Sequence, residues 1–294
     1  MASRITLPVG GVTAISGIEQ ALWDITGKYY NTPVYRLWGG PVRDAIRAYT
    51  WPGPYTTPEE CGEAAAYAVE KLGFTGLKFD PFGDEYMDIS HEGLAFGVAC
   101  IKAAREAVGN RADIAVDGHW RFGPQAAIRI ARALEPFDLM FLEEPVPSDS
   151  NEMLARVRAE VKVPLATGER YYTRWGFWPL LRDRLVDVIQ PDICHAGGIL
   201  ECHTISLMAE TSYVKVAPHN PNGPVATAAS VQLAAAIPNF LILEWAMSEP
   251  HRSQVQQVRP RIENGYVQLP TRPGLGVELD PEVIAAYPYV ATDY

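Results

Sequence analysis

No lysine–arginine block occurs anywhere in the 294 residues, and basic side chains are the minority: 25 against 35 acidic ones, a formal charge of −10. That balance argues against nucleic acid or an anionic membrane surface as a partner. It is silent on small anions, because a bound metal ion reverses the sign of one pocket. Cysteine is scarce too. Cys61, Cys100, Cys194 and Cys202 form no CxxC pair and no framework spacing, which points to a reduced, intracellular chain. The opening MASRITLPVGG lacks the apolar core of a signal peptide. The longest stretch without Asp, Glu, Lys or Arg, from Val216 to Leu243, is broken by Pro218, Pro221, Pro224 and Pro238, so it is no membrane span. Internal repeats and low-complexity segments are absent. The expectation is a cytoplasmic globular protein, in keeping with 48% apolar and 20% charged residues.

What is present is alternation. Short runs rich in Val, Ile, Leu and Phe recur about every 25 residues between segments of helical periodicity, the pattern of βα units on a parallel sheet. Strands are predicted near 45–51, 76–81, 114–118, 140–144, 165–168, 186–191, 214–218 and 240–244. Thr57-Pro58-Glu59-Glu60 reads as an N-cap with proline at the first helical position, opening a helix that runs to Leu72 and stops at Gly73. Gly123-Pro124 opens another, and Gly197-Gly198 precedes a third over 199–211. Eight strands each followed by a helix predict an α/β fold, a (β/α)8 TIM-type barrel over 45–249. The competitor is an open doubly wound sheet, but no GxGxxG follows the first strand. Outside the barrel, 11–40 carries one strong helix, and 250–294 holds a hairpin-like RIENGYVQLP. Both flanks read as parts of a second layer.

Chemistry in a barrel sits at the C-terminal strand ends. The third strand ends in Asp117 (AVDGHW), the fourth in Glu143-Glu144 (FLEEP) and the fifth in Glu169 (ATGER), evenly spaced by 26 residues. Three neighbouring acids repel one another unless a cation neutralises them, and hard oxygen donors suit Mg²⁺. Any one of them alone reads as readily as the partner of an arginine such as Arg121 or Arg170. Three in register favour the metal. The sixth strand ends at Gln190-Pro191-Asp192, with His195 three residues on; the seventh ends at His219 and the eighth at Glu244. Asp192 and His219 on adjacent strand ends form a base and its orienter. His119 follows Asp117 by two residues and so faces the same side. The second strand carries Lys78 and Asp80. A lone histidine is more often structural than catalytic; two beside a metal site favour catalysis. His91, His203 and His251 lie in predicted helices or the tail and read as structural.

The motifs ALWDITGK, LWGGPVRD, LKFDPFG, DGHWR, FLEEPV, GER, QPDICHAGG, APHNPNGP and PGLGVELD, in this order, resemble those of the enolase superfamily. The likeness lies within its mandelate racemase-like subgroup, nearest to sugar-acid dehydratases acting on galactonate or gluconate, and it covers nearly the whole chain. It implies that Asp117, Glu143 and Glu169 hold Mg²⁺. It implies further that His219, paired with Asp192, removes the proton α to the substrate carboxylate, that His119 protonates the leaving β-hydroxyl, and that Glu244 hydrogen-bonds the enediolate. Lys78, Arg121, His195 and Asn220, with Trp120 and Trp245, are the residues expected to meet the substrate. The physical logic agrees. An α-proton beside a carboxylate is very weakly acidic until a cation neutralises that carboxylate, and hydroxide leaves poorly without a proton donor.

Two departures from the family pattern matter. The racemases of this subgroup carry Lys-x-Lys on the second strand, whereas this chain has Lys78-Phe79-Asp80. Two-base racemisation is therefore not expected, and Lys78 either touches the substrate carboxylate or neutralises Asp80. Family members also begin with a mostly β capping layer. Here 1–44 reads as a remnant of that α+β capping domain and 250–294 as a segment returning to it, so the capping layer is expected to be incomplete, through truncation or loss of the lid. The resemblance implies Mg-dependent dehydration of an aldonate, a hexonate such as galactonate or gluconate, to its 2-keto-3-deoxy acid. The alternatives are an epimerase or cycloisomerase working through the same enediolate, or a catalytically silent truncated barrel. It also implies a homo-oligomer, with the helix GIEQALWDI as a candidate contact.

Overall fold

The computed structural model describes residues 9–246, 254–257 and 260–287; the expected boundary at 249/250 and His251 lie outside them. Helix α1 (Val9–Tyr29) and the short α2 (Val34–Leu37) precede the barrel. The barrel runs β1 (Ala45–Tyr49), α3 (Pro58–Glu70), β2 (Gly76–Phe79), α4 (His91–Val108), β3 (Asp113–Asp117), α5 (Pro124–Leu134), β4 (Phe141–Glu143) and α6 (Asn151–Glu160). It continues with β5 (Leu165–Thr167), α7 (Thr173–Arg182), β6 (Val188–Ile189), α8 (Ile199–Glu210), β7 (Lys215–Val216), α9 (Pro224–Ala236) and β8 (Leu243–Glu244). After it come the hairpin strands β9 (Ile262–Glu263) and β10 (Tyr266–Gln268), then α10 (Pro281–Ala285).

Strands β2 to β7 form one parallel six-stranded sheet in chain order, and β8 pairs in parallel with β1. Single parallel bridges join the two sheets, Thr50 to Leu77 on one side and Val216 to Phe240 on the other. Lys78 N donates to Thr50 O at 3.0 Å and Leu241 N to Val216 O at 2.8 Å, so backbone hydrogen bonding runs around all eight strands. Tyr49, Ala115, Phe141, Ala166, Val188, Ala217 and Ile242 pack inside the ring, large beside small. A larger apolar cluster fills the space between strands and helices.

Local signals behave as their chemistry requires. The Thr57 hydroxyl accepts from Glu60 N at 3.2 Å, capping α3. Gly73 takes φ +75°, and a Cβ there would come within 2.7 Å of Asn264 Cα in the β9–β10 turn. The hairpin foreseen in 250–294 forms from β9 and β10. β10 pairs antiparallel with β1, Ala45 opposite Gln268, because the lower part of β1 offers an edge that β8 leaves unpaired. The segment after it contacts α1: Leu275 N donates to Asp24 Oδ1 at 2.9 Å, and Lys28 bridges Asp24 and Glu278.

α1 crosses the start of α8. The Glu19 carboxylate accepts from Ile199 N at 2.7 Å and Leu200 N at 2.9 Å, an anion on a helix N-terminus. The opposite face of α1 exposes Ile15, Ile18, Leu22, Ile25 and Tyr29, with Leu22 57% and Ile25 62% accessible. Their 3–4–3–4 spacing is an apolar seam rather than the charged outer face usual for a surface helix.

Candidate active site

Parallel register carries the acids to one rim. Asp117 at the end of β3 pairs with Glu143 at the end of β4, and Glu169 follows β5 by two residues. Asp117 and Glu143 are buried, and between them lies an ammonium. Lys78 Nζ stands 2.8 Å from both carboxylate oxygens of Glu143, 3.2 Å from Asp117 Oδ2 and 3.2 Å from Glu244 Oε1. It also sits 4.8 Å from the centroid of the Trp51 ring. Burial lowers the Lys78 pKa, but Glu143, Glu244 and Asp117 outweigh it and hold the amine well above its ordinary value. At 1% exposure Lys78 pairs with the strand-end acids, while Asp80 is held by His119 and Arg121.

On the far side, His219 Nδ1 lies 2.8 Å from Asp192 Oδ2 and its Nε2 lies 3.2 Å from Glu169 Oε2. Burial alone would lower the His219 pKa; the Asp192 hydrogen bond and the charges of Glu244 and Glu169 reverse this and raise it to about 9. Asn222 Nδ2 donates to the same Asp192 oxygen at 2.9 Å. Glu244 accepts from Trp51 Nε1 at 2.9 Å and from Asn220 N at 2.8 Å. Burial works to raise the Glu244 pKa, yet Lys78 and His219 bring it down to about 2. The buried Asn220 amide donates to Thr227 Oγ1 and to Glu244 O, both at 3.0 Å, and so braces Glu244.

The turn after β3 is strained: His119 and Trp120 take φ of +46° and +49°, and Glu144 across from them +40°. Gly118 N donates to Glu143 O at 2.9 Å and Trp120 N to Glu144 O at 2.8 Å, which clamps the turn onto β4. Strand alternation ends at Asp117, so this turn, not the two-residue period, brings His119 Nε2 to 3.6 Å from Asp117 Oδ2. The ring stacks on Trp51 with centroids 5.8 Å apart, and Nδ1 lies 2.6 Å from Asp80 Oδ2. Burial lowers the His119 pKa, but Asp80 and Asp117 prevail and raise it. Arg121, another expected substrate contact, has its guanidinium engaged by Asp80 Oδ1 at 2.6 Å, Gly83 O and Gly118 O. His195 turns away toward α1, its Nδ1 3.1 Å from Thr13 Oγ1. Trp120 Nε1 donates to Glu169 Oε1 at 2.9 Å, and Arg170 lies over the Trp120 ring. The arginines named as alternative partners of the three acids thus have other engagements.

The donor set suits a hard divalent cation. Asp117, Glu143 and Glu169 supply only oxygen, and among the described residues these carboxylates outnumber the buried ammonium of Lys78. Burial first, then the Asp117 charge, raises the Glu143 pKa. Burial likewise raises Glu144 to about 7, and its Oε2 is buried with no hydrogen-bond partner among the described residues. Among those residues no three His, Cys, Asp or Glu side chains form a ready-made metal cage, since Lys78 gathers two of the acids and Trp120 and His219 hold Glu169. Sequence reasoning gave no role at the site to three neighbours. Asp80 and Trp51 flank His119. Gln190, at the end of β6, is buried with both amide atoms unpartnered among the described residues. The QPD and LKFD motifs contained the first and last of these, but no local signal gives their partners.

Known proteins bear directly on this arrangement. The family model for the enolase C-terminal domain-like fold matches residues 60–283, and that for the mandelate racemase/muconate lactonizing enzyme N-terminal domain matches 2–39. The D-xylonate dehydratase of Haloferax volcanii is 37% identical over 286 residues, which cover 94% of this chain and 69% of that protein. The D-galactonate dehydratase of Ralstonia pickettii is 37% identical over 292 residues, covering 96% of this chain and 75% of that protein. Among solved structures, the mandelate racemase/muconate lactonizing enzyme from a Sulfitobacter species matches with a TM-score of 0.93 and 37% identity, over 99% of this chain and 77% of that one. The corresponding protein from Jannaschia sp. CCS1 matches with a TM-score of 0.91 and 37% identity, over 96% and 76%.

Proposed function

The chain belongs to the mandelate racemase/muconate lactonizing enzyme family of the enolase superfamily, and from this we propose that it is a hydro-lyase that dehydrates an aldonate to the 2-keto-3-deoxy acid. The observation that carries this reading is a pair of imidazoles flanking the acid rim, each with a carboxylate on Nδ1: His219 on Asp192 and His119 on Asp80. The dehydratase names of relatives 37% identical over most of the chain support it.

Asp117, Glu143 and Glu169 would hold Mg²⁺. When bound, the ion would neutralise the substrate carboxylate and so acidify the α-carbon. His219 Nε2 takes the α-proton, while Asp192 keeps its ring oriented and stabilises the imidazolium. Trp51, Asn220 and Lys78 hold Glu244 as a fixed anion, able to accept a hydrogen bond from a protonated oxygen of the intermediate. His119 gives a proton to the β-oxygen as the C–O bond breaks, releasing water and leaving an enol that becomes the 2-keto group. Asp80, hydrogen-bonded to His119, is placed poorly for a second base, which speaks against a racemase. The remaining readings separate cleanly. Incorporation of solvent deuterium at C2 without loss of the β-hydroxyl marks an epimerase, and folded protein without turnover marks a silent barrel. Incubation of C5 and C6 aldonates with Mg²⁺ and assay for 2-keto acid tests the proposal; deuterium exchange alone, or no reaction with any of them, overturns it.

The exposed seam of α1 supports a homo-oligomer in which copies meet along Ile15, Ile18, Leu22 and Ile25. No helix among the described residues is long and apolar enough to cross a membrane. The free thiols of all four cysteines suit a reducing compartment, and the reading of a cytoplasmic protein fails if fractionation places it elsewhere.

A further inference from the structure

The His119–Asp80 pair differs in origin from the pair formed by His219 and Asp192. His219 follows β7 by three residues, whereas His119 sits in a turn with φ +46°, and its side chain is 39% exposed. A ring so placed has several rotamers open to it, and a proton donor that swings loses most of its value, since transfer needs a heavy-atom separation near 3 Å. Two neighbours remove that freedom. Trp51 stacks nearly parallel to the imidazole, at 19°, and so fixes the plane. Asp80 Oδ2, 2.6 Å from Nδ1, fixes the rotation within it.

Asp80 is itself held. Its other oxygen accepts from Arg121 Nη2 at 2.6 Å and from Phe82 N at 3.3 Å, and Arg121 is anchored in turn on the Gly83 and Gly118 carbonyls. A carboxylate paired with guanidinium only accepts, so the imidazole nitrogen that faces it carries a hydrogen. That arrangement leaves Nε2 on the side of Asp117, 3.6 Å from its Oδ2, where the rim acids converge.

We propose that Asp80, braced by Arg121, is a positioning residue for His119: it anchors Nδ1–H so that Nε2 is aimed at the β-hydroxyl of the substrate. The inference rests on the dehydratase reading and deepens it by naming what holds the proton donor. The proton passes from Nε2 to the departing oxygen as the C–O bond breaks, water leaves, and the imidazole is neutral with its hydrogen still on Nδ1. Asp80 neither gains nor loses a proton. The same residue accounts for a chemical difference legible in Lys78-Phe79-Asp80, since an acid at that place serves a donor in the turn after β3 and does not serve as a base.

The test compares the unsubstituted protein with Asp80→Asn, Asp80→Glu and His119→Asn. In Mg²⁺ and D2O, α-proton exchange and 2-keto-acid formation are followed by NMR on one aldonate that the wild type turns over. Asp80→Asn is expected to cut kcat for dehydration by about a hundredfold with KM little changed, the scale of losing an orienting partner. Exchange at C2 should stay within about threefold of wild type, because His219 performs it, and Asp80→Glu should recover part of the dehydration rate. Added to His119→Asn, Asp80→Asn should cost little more. Dehydration at the wild-type rate in Asp80→Asn, or equal loss of exchange and dehydration, overturns the proposal. A second readout needs no substrate: an imidazole N–H resonance, assigned by its loss in His119→Asn, should vanish in folded Asp80→Ala. Its survival there overturns the anchoring. If instead it vanishes while the wild type dehydrates no aldonate, the anchoring stands and the dehydratase reading falls.

Discussion

Lys78 Nζ lies 2.8 Å from both carboxylate oxygens of Glu143, and the two side chains are each 1% exposed. A buried ammonium in the centre of Asp117, Glu143 and Glu244 compensates charges that water cannot reach. Its removal should therefore be felt in folding as well as in turnover.

Lys78→Met is expected to destabilise the metal-free protein by about 3–5 kcal/mol, the usual loss when one partner of a buried ion pair is removed. Mg²⁺ should recover part of this, because a bound cation stabilises the state that holds it. Urea unfolding with and without Mg²⁺ measures both effects. An unchanged midpoint would show that Lys78 does not neutralise the acids.

Glu143→Gln should abolish calorimetric Mg²⁺ binding while leaving the barrel folded. Asp117→Asn and Glu169→Gln should each weaken it. Binding by Glu143→Gln equal to that of wild type would remove the three acids from consideration as a metal site.

His219 offers a pH signature. Its folded pKa is about 9, above the unfolded value of about 6.5, so its contribution to stability is complete below about pH 6.5 and is lost as pH rises through 9. The metal-free protein should lose on the order of 1–3 kcal/mol between pH 6.5 and 9.5 from this group. His219→Asn should flatten that slope in urea titrations and abolish α-proton exchange. A slope unaffected by the substitution would contradict the Asp192 and Glu169 contacts.

Ile18→Glu with Ile25→Glu should lower the mass measured by light scattering after gel filtration, without loss of helix content. Both residues lie on the exposed seam of α1, at 63% and 62% accessibility. A wild-type monomer at micromolar concentration, or variants that keep the wild-type mass, would exclude this seam as the contact.

Much of the barrel was written locally. Apolar runs of strand length, proline and glycine at helix starts, and acids spaced by one βα unit are short-range features, and Asp117 opposite Glu143 follows from them once neighbouring strands pair in parallel. Asp192 beside His219 was legible for the same reason, since both sit on adjacent strand ends. The intramolecular partners of Arg121, Asn220 and His195 were not legible. Residue type allows each of them to meet an anion, but their partners Asp80, Glu244 and Thr13 come from distant parts of the chain.

The sequence by itself determined which side chains arrive at the C-terminal rim, because strand period and unit length decide that one residue at a time. Only the tertiary structure decided how those side chains pair. Lys78 enters the acid cluster because, among the described residues, it alone is a buried ammonium within reach of Asp117, Glu143 and Glu244 when the ring closes. Asp80 then remains for His119 and Arg121, and the hairpin at 262–268 finds the edge that β1 leaves open. Such choices depend on relative distance and burial among groups far apart in the chain, quantities that exist only after the strands have closed on one another.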